Sequence, residues 1–288
     1  MSNTPLSPFD CEHIVKAALE EDISHGDVTT NILVPSKATT RATIQAKHAL
    51  TVAGIPVVQK VFEVLDPTLL LHGEHGDGDT IAAGQVIATL EGCTRSILTG
   101  ERVALNFLQH LSGIATLTKQ FCEAVRGYPA KILDTRKTTP GLRKLEKWAV
   151  TMGGGMNHRM SLNDGILIKD NHLAILKTQG MDITQACRLA KANGPHGLRI
   201  CVEIESLDDV DQALEGQADV LLLDNMTSDV VHQAVTQIKG RAIVEVSGGI
   251  TLTNVREFAA AGADYISIGA LTHSAPAVDI SLDIPFLA

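Results

Sequence analysis

Six short runs of apolar residues recur through the second half of the chain, without regular alternation between apolar and polar positions. Parallel strands that are buried on both faces of a sheet have this continuous Val, Ile and Leu pattern. We therefore predict six parallel strands, at Ile132–Leu133, Ile166–Ile168, Ile200–Ile204, Val220–Leu223, Ile243–Val246 and Tyr265–Ile268.

Helical patterns separate the later runs. Apolar residues spaced three or four apart form stripes at 207–214, 231–238 and 252–259, and Ser206, Thr227 and Thr251 or Thr253 are candidate helix N-caps. Alternating strands and helices predict either a parallel β/α barrel or a doubly wound sheet. Six runs are fewer than the eight strands of a standard barrel, so the spacing leaves both architectures open.

The first half of the chain has a different pattern. A helix is predicted over 9–25, and short β-favouring runs alternate with glycine-rich turns from Ala38 to Gly92, interrupted by a helix over Ile55–Leu65. Apolar residues three or four apart then predict a long helix from about Gly100 to Arg126. This half is expected to form a small α+β domain.

Composition and charge exclude several classes of protein. The net charge of -9 and the aromatic content of 3% argue against binding to nucleic acid or to an anionic membrane surface. The N-terminus has no signal-peptide pattern, and no apolar stretch approaches the length of a membrane helix. Five scattered cysteines without a CxxC pair favour reduced thiols and a cytoplasmic protein: Cys11, Cys93, Cys122, Cys187 and Cys201.

Charged, hydroxyl or glycine positions follow or close each predicted strand. In parallel β/α folds the carboxyl ends of the strands meet at one edge, where ligands bind. Any single polar residue at a strand end is as often structural as functional, but six units carrying cations, carboxylates and glycines favour a shared binding site. The cations and carboxylates at these ends include Arg136, Lys137, Lys169, Glu203 and Asp224.

Eight of the chain's 24 Lys and Arg residues lie between Lys131 and His172. We expect Arg143, Lys144 and Lys147 to lie on a solvated helix face. The remaining candidates occupy strand ends or a glycine-rich turn, where they can hold a ring with two carboxylates. These candidates are Arg136, Lys137, His158, Arg159 and Lys169.

Glu203 and Asp224 close neighbouring strands, where an unpaired buried carboxylate is costly. Their partners are either Lys and Arg side chains or a magnesium ion together with sugar hydroxyls. Ser247-Gly248-Gly249, followed by a predicted helix near Thr251, and Gly269-Ala270 form two turns whose amides can contact a phosphate. Phosphoribosyl diphosphate and a ring dicarboxylate together match the cations, the two carboxylates and the phosphate-binding turns.

Several longer stretches resemble the quinolinate phosphoribosyltransferase family over nearly the whole chain. They are EDISHGDVTT (21–30), ERVALN (101–106), DTRKTTPGLRKLEKWAV (134–150), GGGMNHRMSLNDGILIKDNH (153–172), LLLDN (221–225), SGGI (247–250) and ISIGALTHS (266–274). No charge-bearing position in these stretches departs from the family pattern.

The resemblance implies an α/β fold in which an N-terminal α+β domain with its linking helix (1–115) precedes an incomplete, seven-stranded α/β barrel (116–275). A tail (276–288) is expected to return to the N-terminal domain. It also implies a homodimer, or a hexamer built as a trimer of dimers, in which Arg102 reaches the partner's active site.

The resemblance further implies that quinolinate and phosphoribosyl diphosphate are converted to nicotinate mononucleotide, CO₂ and diphosphate, with Mg²⁺ and no organic cofactor. Lys137, Glu203 and Asp224 are the expected catalytic residues, and Glu203 and Asp224 the expected magnesium site. The expected substrate-binding residues are Arg102, Thr135, Arg136, Lys137, His158, Arg159, Lys169, Glu203, Asp224, Ser247, Gly248, Gly249, Gly269, Ala270 and His273.

Three alternatives remain open from the sequence. A paralogue on the same scaffold, such as a related protein of molybdenum loci, would act on another substrate. A metabolite sensor would bind the ligands without turnover. An unrelated barrel isomerase or aldolase would use Lys169 as a Schiff-base nucleophile.

Overall fold

A computed structural model of the chain describes residues 8–285, with side chains from residue 11 onward. Its helices are α1 (Pro8–Ile23), α2 (Val28–Leu33), α3 (Ile55–Leu65), α4 (Thr94–Ala124), α5 (Arg143–Met152), α6 (Asp170–Lys177), α7 (Ile183–Asn193), α8 (Val210–Glu215), α9 (Ser228–Ile238), α10 (Val255–Ala260) and α11 (Ala270–His273). Its strands are β1 (Thr39–Ala46), β2 (Leu50–Thr51), β3 (Leu70–Gly73), β4 (Thr80–Ile81), β5 (Val86–Cys93), β6 (Lys131–Leu133), β7 (Ile166–Ile168), β8 (Ile200–Ile204), β9 (Val220–Asp224), β10 (Ile243–Ser247), β11 (Tyr265–Ser267) and β12 (Ile280–Asp283).

The described residues divide into two compact units. Unit 1 comprises residues 8–119, 138–154 and 270–285, and unit 2 comprises residues 120–137 and 155–269. The structure therefore groups α5 and α11 with the N-terminal residues, whereas the expected domain limits of 115 and 275 assign both helices to the barrel domain. Those domain limits stay a prediction.

Unit 1 is built on a four-stranded antiparallel sheet with the strand order β12-β1-β5-β3. The second half of β1 alternates buried and half-buried residues, as a strand with one face on a core does. Strand β12 pairs with β1, from Thr43 opposite Asp283 to Ala46 opposite Ile280, so the end of the described chain lies beside its first strand.

Close packing in unit 1 explains where α4 begins. The helix starts at Thr94, six residues before the start that was predicted at Gly100. A Cβ atom at Gly100 would lie 2.7 Å from Leu65 and 2.8 Å from Phe62, so glycine is required there for contact between α4 and α3. In the sequence Gly100 resembles the start of a helix, whereas in the fold it lies within α4 and allows close packing against α3.

Helix α5 corrects a second expectation in unit 1. Lys147 is fully buried and not on a solvated face, and its neighbour Glu146 is buried with it. The Glu146 carboxylate interacts with His110 Nε2 at 3.0 Å and accepts a hydrogen bond from the backbone amide of Thr139 at 3.0 Å. Buried charges of this kind persist only with such partners.

Unit 2 contains the parallel sheet that the apolar runs predict, with the strand order β6-β11-β10-β9-β8-β7. Helices connect most successive strands, and residues such as Val202, Leu221, Val244 and Ile266 are buried in the sheet. A one-residue parallel bridge joins Met156 to Leu133 of β6. The sheet thus has six strands among the described residues, and the incomplete seven-stranded barrel that the family resemblance implies stays a prediction.

The helix expected near Thr251 begins later than predicted. Helix α10 starts at Val255, and the Asn254 side chain accepts a hydrogen bond from the Thr251 amide at 2.8 Å. The Ser247-Gly248-Gly249 turn is therefore separated from the first turn of α10 by a further loop. Thr227 caps α9 as predicted, and Ser206 caps the 3-10 turn Leu207–Asp209.

Two chain-wide properties complete the fold. None of the helices in the described part of the chain combines the length and the apolar character that a bilayer span needs. No disulfide joins the five cysteines, all of which lie within the described residues.

Candidate active site

The register of the parallel strands brings their carboxyl ends to one edge of unit 2. Asp224 at the end of β9 pairs with Ser247 at the end of β10, and Ser247 pairs with Ser267 at the end of β11. Residues paired in a parallel ladder point to the same face of the sheet. The side chains that end these strands therefore project into a common space.

That space is a cavity of about 460 Å³ lined entirely by residues of unit 2. Nine of the predicted site residues line it, namely Thr135, Arg136, Lys137, His158, Arg159, Lys169, Glu203, Asp224 and Ser247. Leu167 and Leu222 also line it; Leu222 forms a small buried apolar cluster with Cys201 and Val220, and Leu167 packs against that cluster. The cavity therefore combines a polar lining with an apolar base.

Arg136 and Arg159 place two guanidinium groups in this cavity. Burial lowers the pKa of Arg159, and the positive charge of Arg136 lowers it further. Arg159 Nη1 donates to the carbonyl oxygen of Gly165 at 3.3 Å, which orients the side chain. Two like charges at close range favour binding of an anion.

His158 lies at the turn that follows the Met156 bridge. Its backbone amide donates to Asp134 Oδ1 at 2.9 Å, and Asp134 itself is fully buried just after β6. Its ring nitrogen Nε2 lies 3.3 Å from Glu245 Oε1. The turn that carries His158 and Arg159 is thus anchored to both β6 and β10.

Glu203 and Asp224 supply carboxylates to the same cavity. Burial raises the pKa of Glu203, the charge of Lys169 opposes that increase, and the charge of Asp224 adds to it. Asp224 accepts a hydrogen bond from the side-chain amide of its neighbour Asn225 at 2.6 Å. The Asp224 carboxylate is therefore close enough to affect the pKa of Glu203.

The turn after β10 requires glycine for two different reasons. Gly248 has φ +92°, and a Cβ atom there would collide with the side-chain oxygen and backbone nitrogen of Asn225. Gly249 has φ +64°, and a Cβ atom there would meet nothing within 4 Å. The backbone of Gly249 is thus open to an approaching group, as anion-binding turns require.

Comparisons with known proteins match nearly the whole chain. Residues 27–112 match the family model described as quinolinate phosphoribosyl transferase, N-terminal domain, and residues 114–283 match the model of the C-terminal domain of the same family. The chain belongs to the quinolinate phosphoribosyltransferase family.

Individual relatives agree with this assignment. The chain is 42% identical to the probable nicotinate-nucleotide pyrophosphorylase [carboxylating] of Bacillus subtilis, over 92% of this chain and 90% of the relative. It is 40% identical to the nicotinate-nucleotide pyrophosphorylase [carboxylating] of Mycobacterium leprae, over 96% and 99%. The crystal structure of NadC from Streptococcus pyogenes superposes with a TM-score of 0.92 at 41% identity, over 98% of this chain and 99% of that one.

Membership of the quinolinate phosphoribosyltransferase family answers one of the open alternatives. An unrelated barrel isomerase or aldolase is excluded, because both halves of the chain match the family's own domains. Enzymes of this family transfer a phosphoribosyl group in NAD biosynthesis.

Six predicted site residues are not among those that line the cavity. Gly248, Gly249 and Gly269 belong to unit 2 and follow the lining residues Ser247 and Ser267 in the chain. The other three belong to unit 1. Of these, the Arg102 side chain is 60% exposed and Ala270 begins α11, while His273 Nδ1 lies 2.6 Å from the Ser274 hydroxyl.

Several residues that line the cavity were not predicted from the sequence, above all Glu245 and Ser267. Both lie inside apolar runs that were interpreted only as strands. A lone carboxylate within a buried run was the available signal, because such a group needs a specific partner. Two other polar lining residues were not predicted: Asp170, which directly follows Lys169, and Glu205, which lies just beyond β8.

A magnesium ion fits this site only together with a substrate. Among the residues that the structure describes, no group of three or more His, Cys, Asp or Glu side chains could hold a metal ion. Two cavity carboxylates, Glu203 and Asp224, are nevertheless available. Mg²⁺ typically binds to one or two carboxylates plus substrate phosphates, which matches this donor set.

Proposed function

We propose that the cavity of unit 2 joins quinolinate to phosphoribosyl diphosphate and releases CO₂ and diphosphate, leaving nicotinate mononucleotide. The observation that carries this proposal is the mixed lining of one cavity, in which four cations and two carboxylates of the predicted site are brought together. A ring with two carboxylates matches the cations, and a ribose with its diphosphate matches the carboxylates with Mg²⁺. The relatives named nicotinate-nucleotide pyrophosphorylase support the same reaction.

Binding of quinolinate is assigned to Arg136, Arg159 and Lys169, with His158 beside them. The guanidinium groups form charge-assisted, forked hydrogen bonds to carboxylates, and the ammonium group adds a point charge. An anion between Arg136 and Arg159 also relieves their mutual repulsion. Lys137 is placed to contact both the ring acid and the diphosphate.

In the first step the ring nitrogen of quinolinate attacks the anomeric carbon of the ribose. The new C–N bond forms as the C–O bond to diphosphate breaks, and diphosphate leaves with the electron pair. Positive charge develops on the sugar during this step, and the nearby carboxylates of Glu203 and Asp224 stabilise it. Lys137 stabilises the negative charge of the departing diphosphate.

The second step follows from the charge of the new nucleotide. The ring nitrogen is now cationic, so the bond to the carboxylate beside it breaks with its electrons held next to N⁺. CO₂ leaves and the ring carbon takes up a proton. This chemistry needs no covalent enzyme intermediate, so the protein acts mainly by positioning and electrostatics.

Glu203 and Asp224 would also hold Mg²⁺, directly or through water. When bound, the ion supplies positive charge to the diphosphate oxygens. The turn Ser247-Gly248-Gly249, with Gly269, is assigned to the 5-phosphate, and the open approach to Gly249 supports this role.

A second copy of the chain is assigned to the surface that carries Arg102. Helix α2 is held against α4 by Arg95, which donates to the carbonyl of Val34, and by Thr99, which donates to Asp27. Arg102 lies on the same face of α4 as these two residues, because positions 95, 99 and 102 are four and three apart. Three apolar side chains of α2, Val28, Ile32 and Leu33, are more than 70% exposed on this surface.

Exposed apolar clusters of this kind are typical of interfaces. Burying α2 against a second copy would also bring Arg102 to that copy, as the resemblance implies. Homodimers and hexamers both satisfy this arrangement. The cytosol is the proposed compartment, where the five cysteines would stay reduced.

One assay tests the proposed function. The protein is incubated with quinolinate, phosphoribosyl diphosphate and Mg²⁺, and nicotinate mononucleotide is measured by chromatography. We expect product with quinolinate, none when nicotinate replaces it, and strong loss of turnover when EDTA removes the metal. Ligand binding without turnover would identify a sensor instead, and turnover of nicotinate would identify a paralogue.

A further inference from the structure

Glu245 is a buried carboxylate in the cavity for which the sequence analysis assigned no role. It lies in the middle of β10, pairs with Leu222 of β9 and Tyr265 of β11, and is 3% exposed. Its neighbours along the strand, Val244 and Val246, are buried apolar residues. A carboxylate in such surroundings is costly unless hydrogen bonds compensate for the loss of water.

Two groups of unit 2 contact the same oxygen of Glu245. The Ser267 hydroxyl donates to Oε1 at 2.5 Å, and His158 Nε2 lies 3.3 Å from it. The Ser267 hydroxyl fixes the Glu245 carboxylate, and the imidazole of His158 is the second group at the same oxygen. His158 lines the cavity beside Arg159.

The other ring nitrogen of His158 reveals the tautomer. The backbone amide of Arg159 donates to Nδ1 at 2.8 Å, so Nδ1 is an acceptor and carries no proton. In a neutral imidazole the proton must then reside on Nε2. Glu245 Oε1 lies 3.3 Å from Nε2, within reach of the proton that this nitrogen carries.

We propose that Glu245 is a positioning residue for the acid-binding turn 157–160. By accepting the Nε2 proton, it holds His158 in the tautomer whose Nδ1 can accept the Arg159 amide. Without this acceptor the proton can move to Nδ1. Nδ1–H and the Arg159 N–H would then both be donors, and the hydrogen bond between them would be lost. The turn would then shift, and the Arg159 guanidinium would move with it.

The proposal rests in part on the function proposed above, because Arg159 is there assigned to quinolinate. It predicts that Glu245 affects binding of the ring acid and not of phosphoribosyl diphosphate. It also predicts that the acceptor oxygen matters more than the negative charge. Glutamine keeps that oxygen and alanine removes it, so the two substitutions separate these effects.

A first experiment tests the tautomer in the unaltered protein. ¹⁵N-histidine-labelled full-length protein is studied by long-range ¹H–¹⁵N NMR at neutral pH, with His158 assigned by comparison with His158→Gln. We expect a protonated Nε2 and an unprotonated Nδ1. A proton on Nδ1, or an even mixture of tautomers, would overturn the proposal whatever the variants do.

A second experiment measures kinetics of Glu245→Gln and Glu245→Ala, with Glu257→Gln as a control that removes an exposed carboxylate on α10. For Glu245→Ala we expect the KM for quinolinate to rise at least tenfold, with the KM for phosphoribosyl diphosphate changed less than threefold. Glu245→Gln should stay within about threefold of wild type for both, and Glu257→Gln should match wild type.

The outcomes distinguish the proposal from a purely structural role and from a wrong function. An equal loss of kcat in both Glu245 variants without a change in KM would indicate that Glu245 only supports the fold, and would overturn the proposal. Absence of turnover in the wild type would contradict the proposed function, while the NMR result would still test the tautomer. If Glu245→Ala does not fold, Glu245→Gln and the wild-type spectrum decide, because Glu245→Gln should keep the Nε2 proton and the KM for quinolinate, and a tenfold rise in that KM would overturn the proposal.

Discussion

At the scale of single residues, the site depends on cations that are brought together by strands far apart in sequence. Arg136 follows β6 and Arg159 follows the Met156 bridge, yet their charges interact across one cavity. Such an arrangement is unfavourable for folding alone, since like charges repel. It becomes favourable when a dianionic ligand binds, which is the physical reason for assigning these residues to function.

Replacing Arg159 by alanine tests this assignment. We expect kcat/KM for quinolinate to fall about 100-fold, or about 2.7 kcal/mol, because a charged hydrogen-bonding partner of a carboxylate is lost. Arg188→Ala, which removes an exposed arginine on α7, serves as the control and should be nearly neutral. Circular dichroism should show both variants folded; near-normal activity of Arg159→Ala and Lys137→Ala would count against the site.

The two glycines after β10 should respond differently to alanine. In Gly248→Ala the new methyl group collides with Asn225, so we expect the free energy of unfolding to fall by about 2–4 kcal/mol. Unfolding in urea should then occur at a clearly lower midpoint. In Gly249→Ala the methyl group enters open space, and the cost is limited to backbone strain of about 1–2 kcal/mol. Gly249→Ala should instead raise the KM for phosphoribosyl diphosphate; equal stability of the two variants would contradict this account.

The cysteines should differ in reactivity because thiolates react and thiols do not. Burial raises the pKa of Cys187 to about 11, and burial with the charges of Glu245 and Glu203 raises the pKa of Cys201 well above its usual value. Hydrogen bonds from the Ser96 backbone and side chain lower the pKa of Cys93. Mass spectrometry after brief iodoacetamide treatment of the folded protein should find Cys93 labelled well before Cys187 or Cys201. The reverse order would contradict the structure.

At the scale of elements, the sequence predicted the parallel strands well because their signal is local. Runs such as Ile200–Ile204 and Val220–Leu223 are continuous and apolar, and β8 and β9 lie at these positions. The start of α4 was predicted wrongly because Gly100 resembles a boundary, and only the contact with Phe62 reveals its role. Local patterns report propensity, whereas packing depends on residues that are distant in the chain.

The same limit applied to the candidate site. Cations and carboxylates at strand ends or in the glycine-rich turn were predicted from their position alone, and six of them line the cavity. Glu245 was missed because its partner His158 lies 87 residues away, a pairing that only the fold brings about. Lys147 was expected on a solvated face because three basic residues lie close together, yet it is fully buried.

Helix α4 and the C-terminal segment make a contact that can be tested. A Cβ atom at Gly113 would collide with the carbonyl of Pro276 and approach the Cα atom of Ala277 to 3.2 Å. The backbone carbonyl of Gln109 accepts a hydrogen bond from the Val278 amide at 3.2 Å, and the Gln109 side-chain amide donates to the carbonyl of Ile280 at 2.8 Å. This segment therefore crosses α4 at close range and leads into β12.

Gly113→Ala should destabilise unit 1 by about 1–3 kcal/mol, although alanine favours a helix by about 1 kcal/mol over glycine. The free energy of unfolding in urea measures the effect. Asn106→Ala, at an exposed position of the same helix, is the control and should be neutral or slightly stabilising. Equal stability of Gly113→Ala and wild type would mean that the segment 276–277 does not pack on α4 as described.

At the scale of the whole molecule, we propose that a second copy of the chain completes the active site. Arg102 lies on the face of α4 that contacts α2, the helix with three exposed apolar side chains, and a second copy is the proposed occupant of this region. In such a dimer each site takes Lys137 from one chain and Arg102 from the other. Two inactive variants should therefore complement each other.

Co-expression of Arg102→Ala with Lys137→Ala tests this arrangement. Random pairing makes half of the dimers mixed, and each mixed dimer has one intact site, so we expect about one quarter of the wild-type activity. Each variant alone should be nearly inactive. If the mixture is no more active than either variant, Arg102 does not act across an interface.

The most direct test of the central claim follows the fate of one carboxylate. Quinolinate labelled with ¹⁴C in the carboxylate next to the ring nitrogen is incubated with the protein, Mg²⁺ and phosphoribosyl diphosphate, and labelled CO₂, diphosphate and nicotinate mononucleotide are measured together. The account predicts equal amounts of all three, and no CO₂ when phosphoribosyl diphosphate is omitted. Release of CO₂ without the sugar, or a nucleotide that keeps both carboxylates, would contradict it.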